Sequence, residues 1–323
     1  MKSGKTIAAL ATLTLCLSSF AAMATTSGNL TWAGCGITKK AFMQELAAAY
    51  ERETGHKIDI EGGGATKGIR KVANLESDMG GTCRYLLRGV PAVSGVKPFP
   101  VAWDALAVIA HKDNPVESVS LSQLTAILEG RLTNWKDLGG PDAPIELATR
   151  KSKISGVGYA LRQLVFADET KEFAGTHVFP SSGPLEKAVV GNTNAIGVTG
   201  ISSARKRDVK ILRLEEKEPS YDNIMSGEYL LYRPLYIVSN VTNPNYPEVR
   251  RFVDFANSRE GRDIIRANGV VPYLEATHLI RKQLQQWKKA DRLRQTHAAT
   301  SPEPEQSGHD DIYAGSELAA LIE

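Results

Sequence analysis

The chain has 323 residues, with 39 Lys and Arg against 36 Asp and Glu, for a formal net charge of +3. That length allows one or two globular domains. So slight an excess of positive charge excludes the strongly basic footprint of a nucleic-acid binder.

The chain opens with an export signal. Lys2 and Lys5 precede an apolar run from Ile7 to Ala22, and Ala22-Met23-Ala24 has the small-x-small form of a cleavage site. Residues 1–24 therefore read as a signal peptide, cut before Thr25, and the run is too short to be a convincing membrane span. A lipoprotein site at Leu13-Thr14-Leu15-Cys16 is the lesser alternative, because bulky Leu15 stands where a small residue is wanted. The mature chain is expected to be soluble in the periplasm, where ATP-dependent chemistry is disfavoured.

Beyond Thr25, strand-like and helix-like segments alternate. Leu30 to Trp32 leads to a helix expected from about Lys39 to Thr54, with Phe42, Leu46, Ala49 and Tyr50 on one face. The strand Lys57 to Ile60 is followed by a glycine-rich loop and a helix over Lys67 to Asn74. Further strands are predicted at Ala105 to His111, Ile145 to Arg150, Ala195 to Gly200, Val209 to Leu214 and Leu235 to Asn240, with helices at Leu121 to Glu129, from about Gly158, and at Pro247 to Arg266. The alternation implies an α/β fold with ligands at the carboxyl ends of strands. From about Ala299 the composition turns polar, acidic and proline-bearing, which predicts a flexible extension.

The stretch EGGGATKGIRKV, Glu61 to Val72, is not a nucleotide loop. Lys67 is followed by Gly68 where a Walker loop needs Ser or Thr, and Lys67 also occupies the last glycine of a dinucleotide fingerprint. A helix N-terminus still presents unpaired N–H groups and partial positive charge, so the loop is a candidate anion cradle. Two other loops share its design. Gly34-Cys35-Gly36-Ile37-Thr38 and Ile154-Ser155-Gly156-Val157 each follow a predicted strand and open a predicted helix, placing Thr38, Thr66 and Ser155 at expected N-cap positions. A hydroxyl before a helix is more often a simple cap, but three such loops in order point to one cleft holding an oxyanion.

Segments spread along the mature chain give it a family resemblance. DMGGTCR, LEGRLTNWKDLGG, NAIGVTGIS, GEYLLYRPLYIV and NSREGRDIIRANGVVPY, in that order, resemble the PstS-like phosphate-binding proteins of ABC importers, which are periplasmic substrate-binding proteins of type II. The resemblance implies two lobes, each a mixed β-sheet flanked by helices, with the cleft between them. Lobe I would comprise 25–102 and 220–280 and lobe II 103–219, crossing near Pro100 to Asp104 and Pro219 to Arg233, with a helical end and tail over 281–323. It further implies ligand contacts from Ile37 and Thr38, from Ala65 and Thr66, from Thr82 with Cys83 and Arg84, from a basic residue, and from Ser155, Gly156 and Val157. Lys151 aligns best as the basic residue, with Arg150 the alternative one position away. The sequence departs from relatives in reading Ile-Ser-Gly-Val where many have Gly-Ser-Gly-Thr. It also has Cys83-Arg84 where some members carry an acid that accepts the proton of monohydrogen phosphate. Phosphate is thus the family default, not a deduction from these residues.

After cleavage two cysteines remain, Cys35 and Cys83. In an exported protein such a pair predicts a disulfide, here a staple between two ligand loops contributing roughly 2 to 4 kcal/mol. Left free, two thiols would suit a thiophilic metal or metalloid, with His56 and His177 the other residues to consider, although the spacing matches no recognised metal motif. Lys39, Lys40, Lys67, Arg70, Lys71, Arg84 and Arg88 either steer anions or form solvated helix faces. Trp32, Trp103 and Trp135 read as packing residues, and Asp104 as a cap at the first crossover. Ser181 and Ser182 lack an elbow motif, and no nucleophile-base-acid set is present, so no enzyme activity and no cofactor are expected. The sequence reading is a monomeric periplasmic binding protein for a small oxyanion, by default phosphate, partnered by an ABC permease. The alternatives are a metal- or redox-handling protein using Cys35 and Cys83, and a signalling or interaction module on the same fold.

Overall fold

The computed structural model describes residues 29–87 and 95–298. The expected signal peptide, Arg88 and the tail from residue 299 lie outside the described residues. In chain order the strands are β1 Leu30–Gly34, β2 Ile58–Gly62, β3 Met79–Thr82, β4 Val96–His111, β5 Ser118–Val119, β6 Glu146–Arg150, β7 His177–Phe179, β8 Ala195–Gly200, β9 Val209–Leu214, β10 Tyr232–Asn240 and β11 Val271–Pro272.

Strand β4 joins two half-sheets. Its first part, through Ala105, pairs antiparallel with β10, which continues to β3; β1 lies parallel between β3 and β2. From Leu106 onward β4 pairs instead with β8 and β9, and β8 runs parallel to β6, which runs parallel to β7. The mixed sheet flanked by helices agrees with the expected fold class. Val101 to Ala110 are buried without interruption, as a strand covered on both faces requires. Pro100 lies where the β4–β10 register shifts; it has no N–H to donate, so the irregularity costs the ladder little.

Helices begin at the carboxyl ends of several strands. The helix after β1 spans residues 36–54 as Gly36–Thr38, a π-helical turn Lys39–Met43, and Gln44–Thr54, starting earlier than its apolar face predicts. The helix Ala65–Ala73 lies directly on β1: a Cβ on Gly68 would stand 2.3 Å from the Ala33 carbonyl oxygen, so only glycine allows the approach. The single helix expected over Pro247 to Arg266 is two, Tyr246–Asn257 and Arg259–Ala267. Ser258 divides them, turning extended and accepting a hydrogen bond from the Gly261 amide at 3.1 Å.

One apolar core runs through both half-sheets, and Trp32, Trp103 and Trp135 are fully buried in it, as expected. The Trp103 ring stacks on Tyr273 at 4.9 Å between centroids. The last described helix, His278–Ala298, is fixed to the core by Gln286, whose side-chain amide donates to the Leu230 and Tyr232 carbonyls.

Candidate anion site

A cavity of about 120 Å³ lies where loops of the two half-sheets meet. Four helices begin in its wall, at Gly36, Ala65, Gly156 and Ser182. The first-turn amides of a helix have no partner within it, and the peptide dipoles place partial positive charge there. The cavity therefore gathers positive ends from chain segments more than a hundred residues apart. No carboxylate is among the described residues lining it.

The glycine run of the second loop is explained by its backbone. Gly64 caps the helix Ala65–Ala73 at φ 95° and Gly63 sits at φ 153°, conformations that residues with a Cβ rarely adopt. The loop can therefore turn sharply from β2 and present Ala65 and Thr66 to the cavity. The cap is Gly64, not Thr66; likewise Cys35, not Thr38, caps the first helix, its sulfur accepting from the Thr38 amide at 3.4 Å. Ser155 is the expected cap and accepts from the Gly158 amide at 3.2 Å.

Ile37, Ala65, Thr66, Cys83, Arg150, Ser155, Gly156 and Val157 line the cavity. Thr38 does not; it is fully buried behind the loop, its hydroxyl donating to the Cys35 carbonyl at 3.0 Å. Thr82 is also fully buried, donating to the Arg84 carbonyl at 3.0 Å. Arg84 is turned to structural use, its Nε donating to the Ile154 carbonyl at 2.8 Å and its Nη1 to the Tyr85 carbonyl at 2.7 Å. Of the two basic candidates, the structure brings Arg150 to the cavity and leaves Lys151 exposed outside its wall. Arg150 donates to the Ser182 hydroxyl at 2.8 Å and the Pro180 carbonyl at 2.9 Å, while its Nε is buried with no partner. An orphaned guanidinium N–H in the wall of a cavity is a donor lacking an acceptor.

The glycines of the first two cradle loops, Gly36, Gly63 and Gly64, line the cavity as those loops implied, whereas the sequence reading missed Ser152 and the whole fourth loop, Pro180, Ser181 and Ser182. A signal for that loop was present. Ser181 precedes the helix and Pro184 falls in its first turn, where proline's missing N–H costs nothing.

Several hydrogen bonds tie the two sides of the cavity together. The Thr66 hydroxyl donates to the Ile154 carbonyl at 3.1 Å, and Arg233 Nη1 donates to the Cys83 and Gly156 carbonyls at 2.9 and 3.3 Å. Arg233 also pairs with buried Asp104 at 3.4 Å. Burial raises the Asp104 carboxyl, and the Arg233 charge and Ser202 opposite oppose that rise. Asp104 accepts from the Ser202 amide, so its capping role is observed, together with the ion pair. Farther out, Lys40 donates to Glu186 at 3.3 Å and to Ser203 at 2.7 Å.

The expected disulfide is not formed. Cys35 and Cys83 are free, buried thiols that both line the cavity. Burial alone would raise the Cys35 thiol, but its interactions with Cys83 and with the Thr38 side chain and amide, together with the Arg233 charge, lower it to about 6. Cys83 is pushed up by its interaction with Cys35 and by its burial. The pair thus loses one proton readily, leaving the charge on Cys35, and keeps the second. Neither histidine considered with them joins them: His56 pairs with Glu248 and His177 with Glu146. Among the described residues no group of three or more His, Cys, Asp and Glu is placed to hold a metal ion.

Comparison with known proteins agrees with this geometry. Residues 21–260 match the PBP superfamily domain. The phosphate-binding protein PstS of Borreliella burgdorferi is 27% identical over 248 residues, covering 73% of this chain and 87% of that one. The PstS of Pseudomonas aeruginosa is 26% identical, covering 76% and 83%. Among solved structures, a candidate phosphate ABC transporter substrate-binding protein from Clostridium perfringens, with bound phosphate, has a TM-score of 0.68 at 28% identity, covering 76% of this chain and 99% of its own. An ABC-type phosphate transport receptor from Vibrio cholerae has a TM-score of 0.59 at 29% identity, covering 75% and 99%. The chain belongs to the PBP superfamily, as a PstS-like substrate-binding protein.

Proposed function

We propose that the chain captures a tetrahedral oxyanion, phosphate first among them, in the cavity walled by the four helix starts, and delivers it to an ABC permease outside the cytoplasm. The observation that carries this reading is the meeting of those four N-termini with the Arg150 guanidinium around one cavity that has no carboxylate among its described lining residues. Phosphate is the ligand or transported ion in the names of the similar proteins. The ligand contacts proposed from the wall are the amides of Gly36, Ile37, Ala65, Thr66, Gly156 and Val157, the Ser155 hydroxyl and the Arg150 guanidinium.

The proposed lobes, 25–102 with 220–280 and 103–219, would close over the anion by bending where β4 passes between half-sheets and where the chain returns before β10. Export with cleavage before Thr25 and a monomeric mature chain complete the proposal. No step in it calls for catalysis. Thermal unfolding of the purified mature chain, titrated with phosphate, arsenate, sulfate and molybdate, tests it. Binding to the native state raises the melting temperature with concentration; no rise with any of the four anions sinks the reading.

A further inference from the structure

The cysteine pair gives this cavity a chemistry that backbone amides do not have. Cys35 arrives at the end of β1 and Cys83 just after β3, so the fold brings two thiols 48 positions apart in sequence to one small cavity. Both sulfur-bearing residues line the cavity. A Cβ on Gly156 would lie 2.3 Å from Cys83 Sγ, so glycine leaves the space that this sulfur occupies at the cavity.

We propose that this dithiol makes the cavity a capture site for a trivalent, thiophilic oxyacid of the arsenite kind, held covalently by both sulfurs. The assignment rests on the oxyanion reading for one feature only, the seating of the remaining oxygen.

The donor set selects the ligand. Zinc and similar cations want four donors, and no His, Cys, Asp or Glu among the described residues stands ready to complete such a shell. Ions that bind two thiolates in a line need the sulfurs on opposite sides of the metal and keep no bond for an oxygen at the amide donors. A pyramidal trivalent centre holds two sulfurs side by side and keeps a third bond to oxygen. Arsenous acid, As(OH)3, enters uncharged, so a thiolate in the cavity does not repel it. Cys35 at the helix start attacks first and Cys83 second. Two As–S bonds form and two As–O bonds break. The two thiol protons leave with the two hydroxyl groups as two waters, and arsenic stays trivalent throughout. The remaining As–OH faces the amide donors at Ala65 and Gly156 that an oxyanion would use, so the two kinds of ligand exclude each other.

The test uses the purified mature chain, reduced with a phosphine, desalted and titrated with sodium arsenite at neutral pH. Intact mass reports arsenic uptake and calorimetry reports phosphate binding on the same preparation. The expected result is one arsenic per chain, loss of phosphate binding in the loaded protein, and loss of arsenic uptake in Cys35→Ala and in Cys83→Ala, each first checked for a native circular dichroism spectrum. Absence of arsenic on the reduced parent protein overturns the proposal without reference to any variant. So does uptake that persists in either folded variant, or loaded protein that still binds phosphate. If the unloaded protein binds no phosphate, the oxyanion reading fails, and the arsenic count still decides this proposal by itself.

Discussion

Gly156 and Cys83 face each other so closely that a single methyl group does not fit between them: a Cβ on Gly156 would stand 2.3 Å from Cys83 Sγ and 3.3 Å from the Ala65 Cβ. Gly156 opens a helix on one side of the cavity; on the other, Ala65 opens a second helix and Cys83 follows β3. Gly156→Ala therefore acts on the approach of the two sides rather than on either half-sheet. The variant is expected to keep its secondary structure and to lose roughly tenfold or more in phosphate affinity, the 1–3 kcal/mol typical of overpacking appearing in the closed state. Calorimetric titration with phosphate beside far-ultraviolet circular dichroism measures both; unchanged affinity would show that the sides need not approach this closely.

The two adjacent basic residues give a paired comparison. Arg150 brings a guanidinium with one unpaired buried N–H into the cavity wall, whereas Lys151 is exposed beyond it. A hydrogen bond to a charged group is worth about 1.5–3 kcal/mol, so Arg150→Ala should weaken phosphate binding by roughly 10- to 150-fold. Lys151→Ala, removing a solvated charge, should cost less than about threefold. The two dissociation constants at moderate salt decide it, and the reverse ranking would restore Lys151 as the ligand.

That comparison also shows what the chain's letters reveal and what they conceal. Strands β8 and β9 are readable to the residue because each is a short apolar or β-branched run between turn signals. The full reach of β4 is not, since Pro98 and Pro100 at its start resemble loop punctuation until its pairing with β10 is seen. Three of the four helix starts at the cavity are visible because glycine stands beside them; Ser181-Ser182 resembles an ordinary cap until β6 and β7 bring it next to Arg150. The choice between Arg150 and Lys151 turns on a shift of one residue, which in a strand reverses the face. Only the position of β6 in the sheet resolves that. Hydroxyl roles were the least legible: Thr38 and Thr82 have the right chemistry for an anion but spend their donors on nearby carbonyls.

The cysteine pair puts a titration inside the binding site. Its first proton leaves near pH 6, when Cys35 becomes a thiolate facing Cys83, with the Arg233–Asp104 pair behind and Arg150 and Arg84 as the nearby cations. Below that pH the pair is neutral and does not oppose an anion; above it, a negative charge repels one. Sulfate has a fixed charge across this range, so it reports the protein's titration and not its own. Sulfate affinity of the reduced protein should fall by on the order of tenfold or more between pH 5 and pH 8, since even a partly screened charge a few ångströms away is worth more than 1 kcal/mol. Cys35→Ala should flatten the profile. A parent profile that is flat, or that rises with pH, would remove the thiolate from the account.

Glu186 is the buried charge that joins the helix Ser182–Val190 to its surroundings, and its pH dependence has a defined sign. Burial would raise its carboxyl, but hydrogen bonds from Ser203, Arg207 and Thr199 and the Lys40 charge outweigh that and hold it below the ordinary range. The depressed folded value means that the contribution is fully present above the unfolded value, about 4.3, and is lost as pH falls through the folded one. Removing one member of a buried ion pair costs 3–5 kcal/mol. Here Lys40 and Arg207 retain 23% and 26% side-chain exposure and can turn to water, so Glu186→Gln should cost less, about 2–3 kcal/mol at pH 7. Urea unfolding at pH 7 and at about pH 3 checks this, because the gap between parent and variant must shrink in acid as the parent carboxylate takes up its proton. A gap of the same size at both values would assign the loss to packing around residue 186 and not to its charge.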